Sequence, residues 1–119
     1  MMNALIVMDV QKGILKKKDF SETLNNIKSL IEDFKKNKDL VILTKHLSDD
    51  EDSPYFKGSD DVNLWAEIQG LGDYVIEKTS CNPFYKTNLA QVLKDNEVSK
   101  VYICGFNTEY CCCLLYTSD

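Results

Sequence analysis

The sequence predicts one α/β domain, a three-layer α/β/α fold with a parallel, doubly wound (Rossmann-like) sheet. Short runs of consecutive apolar residues alternate with longer segments whose apolar residues recur at helical spacing. Strands that are buried on both faces and joined by helices form parallel sheets. The length of 119 residues, with 44% hydrophobic and 28% charged residues, suits a single domain and excludes a disordered chain.

The first half of the chain contains two predicted strands and one predicted long helix. Residues 4–8 are an uninterrupted apolar run, which predicts the first strand. Ser21 is a suitable cap for a helix over about residues 21–34, where Leu24, Ile27 and Ile31 lie on one face. Residues 40–43 are the second apolar run, and the polar, acidic residues 48–61 predict a long loop.

The second half repeats the alternation of helix and strand. Residues 62–68 are predicted to form a short helix around Trp65, and residues 74–76 to form the third strand. Residues 87–96 carry apolar side chains at helical spacing, and residues 101–104 are the fourth predicted strand. The order of these elements predicts a parallel sheet with helices on both of its faces.

Reactive side chains follow these strands at the edge where parallel sheets place their chemistry. Asp9 follows the first strand, Lys45 and His46 follow the second, Lys78 follows the third, and the fourth leads to Cys111. A neighbouring ammonium lowers the pKa of a thiol, and a nearby carboxylate can carry its proton. The sequence therefore predicts a nucleophilic cysteine site, with His46 as a polar residue at the strand end.

Three blocks of sequence resemble the isochorismatase-like cysteine hydrolases, the family of the nicotinamidase-related amidases. Residues 4–11 resemble its opening strand, which ends in Asp-(Met/Val)-Gln. Residues 75–78, followed by Phe84 and Thr87, resemble the second block, in which a lysine ends a strand. Residues 101–111 resemble the third block, Gly-x-x-Thr-(Asp/Glu)-x-Cys. The blocks stand in family order over nearly the whole chain.

The resemblance implies a role for each matching residue. Cys111 is the implied nucleophile, Asp9 the general base and acid, and Lys78 the cation that stabilises the thiolate. The backbone N–H groups of Asn107 and Cys111 are the implied oxyanion hole, shaped by a cis peptide between Phe106 and Asn107. The implied reaction cleaves the C–N bond of a small amide or carbamoyl compound through a thioester.

The expected pocket contains no metal and no cofactor. Gln11, Phe84 and Tyr110 are the candidate pocket residues, and Gln11 either contacts the substrate or holds Asp9 in place. Nicotinamidases of this family carry an Asp-x-His…His metal set after the second strand, whereas residues 46–48 are His-Leu-Ser and the chain has one histidine. We therefore expect no zinc site.

Charge and cysteine content limit the partners. All 14 basic residues are lysine and the net charge is −5, which disfavours nucleic acid. No apolar stretch approaches the ~20 residues of a membrane span. Five cysteines without a secretion signal indicate reduced thiols and a cytoplasmic protein. We expect a small-molecule amide substrate and, for the full-length protein, a homo-oligomer.

The end of the sequence carries a separate expectation. Residues 1–119 are predicted to be a single isochorismatase-like domain that lacks its last two strands, because family members continue beyond the nucleophile helix. Residues 113–119 resemble a translated sequencing adaptor, so we expect the native sequence to end at about Cys112. The alternatives are a non-catalytic protein or inactive fragment of this fold, and a thiol redox sensor based on Cys111.

Overall fold

A four-stranded parallel sheet organises the computed structural model, which describes residues 2–80 and 82–106. In that part of the chain the strands are β1 (Met2–Met8), β2 (Leu40–His46), β3 (Tyr74–Lys78) and β4 (Val98–Gly105). The helices are α1 (Lys12–Leu15), α2 (Ser21–Lys36) and α3 (Leu89–Asp95), together with a 3₁₀ helix, Asp60–Val62.

The order of the strands is β3-β2-β1-β4, which makes β1 central. β1 pairs with β2 from Ala4↔Leu40 to Val7↔Leu43, and Met8 at its end pairs with Gly105 of β4. The chain therefore moves outward from β1 through β2 to β3 and then returns to the other side of β1. Such a reversal opens a crevice between the carboxyl ends of the two strands that flank it, here β1 and β4.

Two apolar clusters lie on opposite faces of the sheet and hold the three layers together. On one face, Ala4, Ile6 and Met8 of β1 pack with the buried side of α3. On the other face, Leu5 and Val7 of β1 pack with the buried side of α2. Successive side chains of a strand point to opposite faces, so an uninterrupted apolar run supplies both clusters. The predicted three-layer α/β fold is confirmed.

All four predicted strands are present, and each is longer than its apolar run. The helix predicted from Ser21 begins there, but its N-cap residue is Phe20, without a side-chain cap. Ser21 instead donates its backbone N–H to the carboxylate of Asp19 at 2.9 Å. The predicted cap is therefore wrong, because Asp19 supplies the acceptor two residues earlier.

The helix predicted over residues 62–68 is wrong, and α1 is an element that the sequence did not predict. Leu64 forms an antiparallel bridge with Gln11, and Trp65 donates its backbone N–H to the carbonyl oxygen of Val10 at 2.9 Å. These bonds hold residues 63–65 beside the end of β1, and residues 66–71 then form turns instead of a helix. Pairing with a distant segment has outweighed local helical spacing.

Candidate active site

Two opposite charges meet in the interior at the carboxyl edge of the sheet. Asp9 directly follows β1 and Lys78 is the last residue of β3, 69 positions later. The ammonium Nζ of Lys78 lies 3.1 Å from Oδ2 of Asp9, and the two side chains are 1% and 0% exposed. Since β2 lies between β1 and β3, the side chain of Lys78 reaches across the end of β2 to make this pair.

Thr44 on β2 orients the carboxylate of Asp9 from the other side. Its hydroxyl donates to Oδ1 of Asp9 at 2.8 Å, and the backbone N–H of Asp9 donates to the same hydroxyl oxygen at 3.1 Å. Asp9 has a φ of 55°, a left-handed conformation that Asp tolerates better than most residues. The chain thus turns sharply at Asp9, and Thr44 binds both its backbone and its side chain.

The ammonium of Lys78 has three acceptors. Besides Asp9, it contacts Nδ1 of His46 at 3.1 Å and donates to the carbonyl oxygen of Ser80 at 3.2 Å. A lysine ammonium has three N–H donors. The three contacts therefore match the full donor capacity of Lys78, whose side chain is almost fully buried.

His46 is held in place through its backbone and its ring. Gln11 accepts the backbone N–H of His46 at 2.8 Å and donates to its carbonyl oxygen at 3.0 Å. The ring of Tyr55 packs edge-to-face on the imidazole, with 4.9 Å between the ring centroids. Burial and the adjacent charge of Lys78 lower the pKa of His46 below its ordinary 6.5, although Asp9 acts in the opposite direction.

The end of β4 approaches β1 closely next to Asp9. Gly105 has a φ of 107°, and a Cβ atom there would lie 2.3 Å from the carbonyl oxygen of Met8. That carbonyl accepts the backbone N–H of Phe106 at 2.8 Å. The absence of a side chain at Gly105 therefore lets the end of β4 lie against Met8, the residue before Asp9.

The sequence of this chain matches a known protein family. The sequence model of the isochorismatase domain matches residues 3–117. The chain belongs to the isochorismatase family. Its curated relatives include the isochorismatase family protein YrdC of Bacillus subtilis, which is 32% identical over 114 residues. That match covers 91% of this chain and 60% of the relative, so the chain spans less than two thirds of the relative's length.

Solved structures of the isochorismatase family share the fold. An isochorismatase family protein from Chromobacterium violaceum superimposes with a TM-score of 0.80 at 18% identity, covering 92% of this chain and 62% of that one. The N-carbamoylsarcosine amidase of Thermoplasma acidophilum superimposes with a TM-score of 0.76 at 26% identity. Here the match covers 88% of this chain and 68% of the amidase.

The structure brings together two of the three catalytic residues that the sequence predicts for this isochorismatase family member, Asp9 and Lys78. The third, Cys111, lies outside the described residues, as do Asn107, Tyr110 and the cis peptide expected before Asn107. The proposed roles of all of these residues stay predictions.

The two described pocket candidates lie in different surroundings. Gln11 is fully buried and donates through Nε2 to the carbonyl oxygens of His46 and Val62. Through these contacts Gln11 binds the end of β2, and the choice between its two predicted roles stays a prediction. Phe84 is partly buried against the cluster that includes α3.

Thr44 is the site residue that the sequence analysis missed. It directly follows the apolar run of residues 40–43 and is fully buried, so it belongs to the strand and not to the loop after it. A small hydroxyl residue that closes an apolar run, at the same relative place as Asp9 after the first run, was the available signal. His46 was predicted as a polar strand-end residue, but the sequence did not predict its contact with Lys78.

Two further observations concern residues 2–80 and 82–106. No helix in this part of the chain combines the length and apolar character that crossing a membrane requires. No group of three His, Cys, Asp or Glu side chains is placed there so that it could hold a metal ion. The expectation that the site works without a metal stays a prediction.

Proposed function

We propose that this protein is a cysteine hydrolase that cleaves the C–N bond of a small amide or carbamoyl compound. Asp9, Lys78 and Cys111 are its proposed catalytic residues. The observation that carries the proposal is the ion pair of Asp9 and Lys78, buried at the carboxyl edge of the sheet with 3.1 Å between Nζ and Oδ2. Both residues occupy positions that match the catalytic motifs of the family.

A structural role explains this ion pair less well than a catalytic role does. Removing two charges from water costs several kcal/mol for each ion, so a buried pair adds little to stability compared with apolar side chains. Lysine is almost never fully buried unless it is paired. The pair also lies at the carboxyl end of β1, a strand that flanks the reversal in strand order, which is where doubly wound sheets bind their ligands.

The proposed reaction begins with transfer of the Cys111 thiol proton to Asp9. The thiolate attacks the carbonyl carbon of the substrate, and the carbonyl oxygen becomes an oxyanion that backbone N–H groups stabilise. Asp9 then returns the proton to the nitrogen, the C–N bond breaks, and ammonia or an amine leaves a thioester on Cys111.

Hydrolysis of the thioester completes the cycle. Asp9 accepts a proton from a water molecule, whose oxygen attacks the thioester carbon. The C–S bond breaks, the acid product leaves, and the proton returns to the sulfur of Cys111. The charge of Lys78 favours the thiolate in both half-reactions. Thr44 keeps the carboxylate oriented through Oδ1, while Lys78 contacts Oδ2.

The proposed substrate class follows from the chemistry and from one relative. A carbamoyl group and a primary amide both contain a carbonyl carbon bonded to an NH2 group, and hydrolysis of that C–N bond releases ammonia in both cases. The similarity to N-carbamoylsarcosine amidase supports including carbamoyl compounds beside simple amides.

Ammonia release from a panel of small amides and carbamoyl compounds tests the proposal. Cys111→Ala, Asp9→Asn and Lys78→Met should each lower kcat by at least ~10²-fold, as loss of a positioned acid–base or activating group does. Lys94→Met is the matched control, because Lys94 is exposed on α3 on a different part of the surface, and it should keep full activity.

Two outcomes contradict the proposal. One is undiminished turnover by Cys111→Ala, which would exclude a thioester on that sulfur. The other is a folded protein that releases no ammonia from any member of the panel, which would favour a non-catalytic member of the family.

A further inference from the structure

The contact between Lys78 and His46 requires one particular form of the imidazole. An ammonium group only donates hydrogen bonds, so Nδ1 of His46, 3.1 Å from Nζ, has to be the acceptor. Nδ1 can accept only when it carries no proton, which places the single proton of the neutral ring on Nε2. The contact is incompatible with both the Nδ1–H tautomer and the imidazolium.

We propose that His46 is a positioning residue whose neutral Nε2–H imidazole holds the ammonium of Lys78 against Asp9. Protonation of His46 replaces this acceptor with a like charge and releases Lys78 from its place. The catalytic consequence rests on the function proposed above, whereas the contact itself does not.

The matching of donors and acceptors around Lys78 supports this role. Its three N–H groups meet Asp9 Oδ2, His46 Nδ1 and the carbonyl oxygen of Ser80 within 3.2 Å. Losing one acceptor leaves an N–H of a buried ammonium without a partner, which is costly because the Lys78 side chain is only 1% exposed. Of the three acceptors, His46 is the one whose protonation falls in the near-neutral range.

The position of His46 is fixed independently of Lys78. Gln11, itself fully buried, binds the backbone of His46 through two hydrogen bonds, and the Tyr55 ring packs on the imidazole. The imidazole is thus presented to Lys78 by its surroundings. A histidine that served only as a polar strand end would need neither the two hydrogen bonds to Gln11 nor a ring turned toward an ammonium.

The charges that face His46 determine when the contact is lost. Lys78 faces it from β3, Asp9 from the end of β1 and the phenol of Tyr55 from the following loop. Burial and Lys78 lower the pKa of His46, and their effect exceeds the opposing effect of Asp9. The imidazole is therefore mainly neutral at pH 7, and acidification through its lowered pKa converts it to the cation that repels Lys78.

Nuclear magnetic resonance tests the contact without any substrate. The chain has a single histidine, so one imidazole signal reports on His46 without assignment by mutagenesis. Its ¹⁵N shifts at neutral pH should identify the Nε2–H tautomer, and its pKa should lie below 6.5. In Lys78→Met the pKa should rise, because a like charge has been removed.

An Nδ1–H tautomer, or a pKa at or above 6.5, in the unsubstituted protein would overturn the proposal even if Lys78→Met fails to fold. Lys94→Met is the matched control for the charge effect and should leave the titration of His46 unchanged.

The catalytic consequence is tested with two substitutions of His46. Asn places an amide oxygen near the position of Nδ1 and does not titrate, whereas Leu removes the acceptor. His46→Asn should keep kcat within ~10-fold of the original and lose the acid limb that His46 causes. His46→Leu should lower kcat by more than ~10-fold with little change in KM, since Lys78 does not bind the substrate ground state.

The control is Lys45→Met, which changes the residue next to His46. The Nζ of Lys45 lies 3.4 Å from Oδ1 of Asn63 and is not among the three acceptors of Lys78, so this variant should keep the original pH profile. Turnover with the same pH profile in His46→Asn, His46→Leu and the original protein would overturn the catalytic role of His46 and leave the proposed function intact. Absence of turnover on every amide would overturn the proposed function, and the tautomer measurement would still decide the contact.

Discussion

At the scale of single residues, the site is a short chain of contacts in which each polar group fixes the next. Gln11 binds the backbone of His46, the imidazole contacts Lys78, and Lys78 contacts Asp9. Thr44 closes the chain by binding Asp9 from the opposite side. Each buried polar group in this series of contacts has a hydrogen-bond partner. A change at one member should therefore shift the carboxylate of Asp9, which the proposed mechanism uses.

The cysteines should differ widely in reactivity. Burial raises the pKa of Cys104 on β4 to about 11, so its thiolate is scarce at pH 7.5. Iodoacetamide should therefore modify Cys104 at least ~10²-fold more slowly than Cys111, if the charge of Lys78 favours the Cys111 thiolate as proposed. Tandem mass spectrometry of the modified peptides measures the rate at each position.

Lys78→Met provides the matching test, because it should slow modification of Cys111 and leave that of Cys104 unchanged. Equal rates at all five thiols would contradict the proposed activation of Cys111.

Stability should also depend on pH through His46. Its pKa in the folded protein is lower than 6.5, the ordinary value that applies in the unfolded chain. Between these two values the unfolded chain binds more protons, so the free energy of unfolding decreases as pH falls from about 6.5 toward the folded pKa. Above 6.5 this contribution is fully present. Urea unfolding at intervals between pH 5 and 7.5 measures the slope.

His46→Asn should flatten that slope, because amides do not titrate and carboxylates titrate mainly near pH 4. An unchanged slope in this variant would assign the pH dependence to other groups.

At the scale of elements, the apolar runs predicted the strands because a strand buried on both faces has no other sequence pattern. Residues 4–8 and 40–43 are such runs, and β1 and β2 contain them. The runs ended too early, however, because Thr44 is a buried polar residue that no hydrophobic pattern includes. Its burial depends on a hydrogen bond to Asp9, which lies 35 positions away.

The wrong helix prediction at residues 62–68 has the same long-range origin, whereas the wrong cap prediction at Ser21 reflects a local acceptor, the carboxylate of Asp19. Trp65 and its neighbours have helical spacing, yet a backbone bond to Val10 decides their path. Likewise, the contact of Lys78 with His46 depends on β2 lying between β1 and β3, which is a property of strand order. The sequence predicted which residues end each strand, whereas the order of the strands decides which of them touch.

Gly105 should be the position in β4 least tolerant of a side chain. A Cβ atom there would lie 2.3 Å from the carbonyl oxygen of Met8, at a φ of 107° that L-residues rarely adopt. Gly105→Ala should therefore separate the ends of β4 and β1, destabilise the fold by at least ~1–3 kcal/mol and lower kcat, because Asp9 directly follows Met8. Urea unfolding and ammonia release measure the two effects.

Gly70→Ala is the control, since its Cβ would meet nothing within 4 Å and its φ lies outside the positive region. Equal stability of the two variants would mean that the ends of β1 and β4 can separate without cost.

At the scale of the whole molecule, the two residues of the buried ion pair lie at the ends of two strands that differ in their exposure to solvent. The side chains of β1 are almost fully buried from Ala4 onward, and β1 has a neighbour on each side. In the part of the chain that the structure describes, β3 is five residues long, pairs with β2 alone and has three exposed residues. The carboxylate of Asp9 therefore belongs to the interior of the sheet, and the ammonium of Lys78 that pairs with it belongs to an edge strand.

This difference predicts how the molecule opens. Backbone amides of β1 should exchange with solvent only through global unfolding, whereas those of β3 should exchange through a local opening of lower free energy. The contact of Lys78 with Asp9 joins the end of β3 to β1 across β2, so Lys78→Met should reduce protection in β3 much more than in β1. Native-state hydrogen exchange, measured residue by residue, tests this.

Glu77→Gln is the control, because it changes an exposed side chain on the same strand and should leave both patterns unchanged. Equal loss of protection in β1 and β3 on substitution of Lys78 would mean that the ion pair contributes to the stability of the whole sheet. A loss of protection confined to β3 would show that the ion pair of Lys78 and Asp9 holds this edge strand against the sheet. Breaking the ion pair and local opening of β3 would then be a single event.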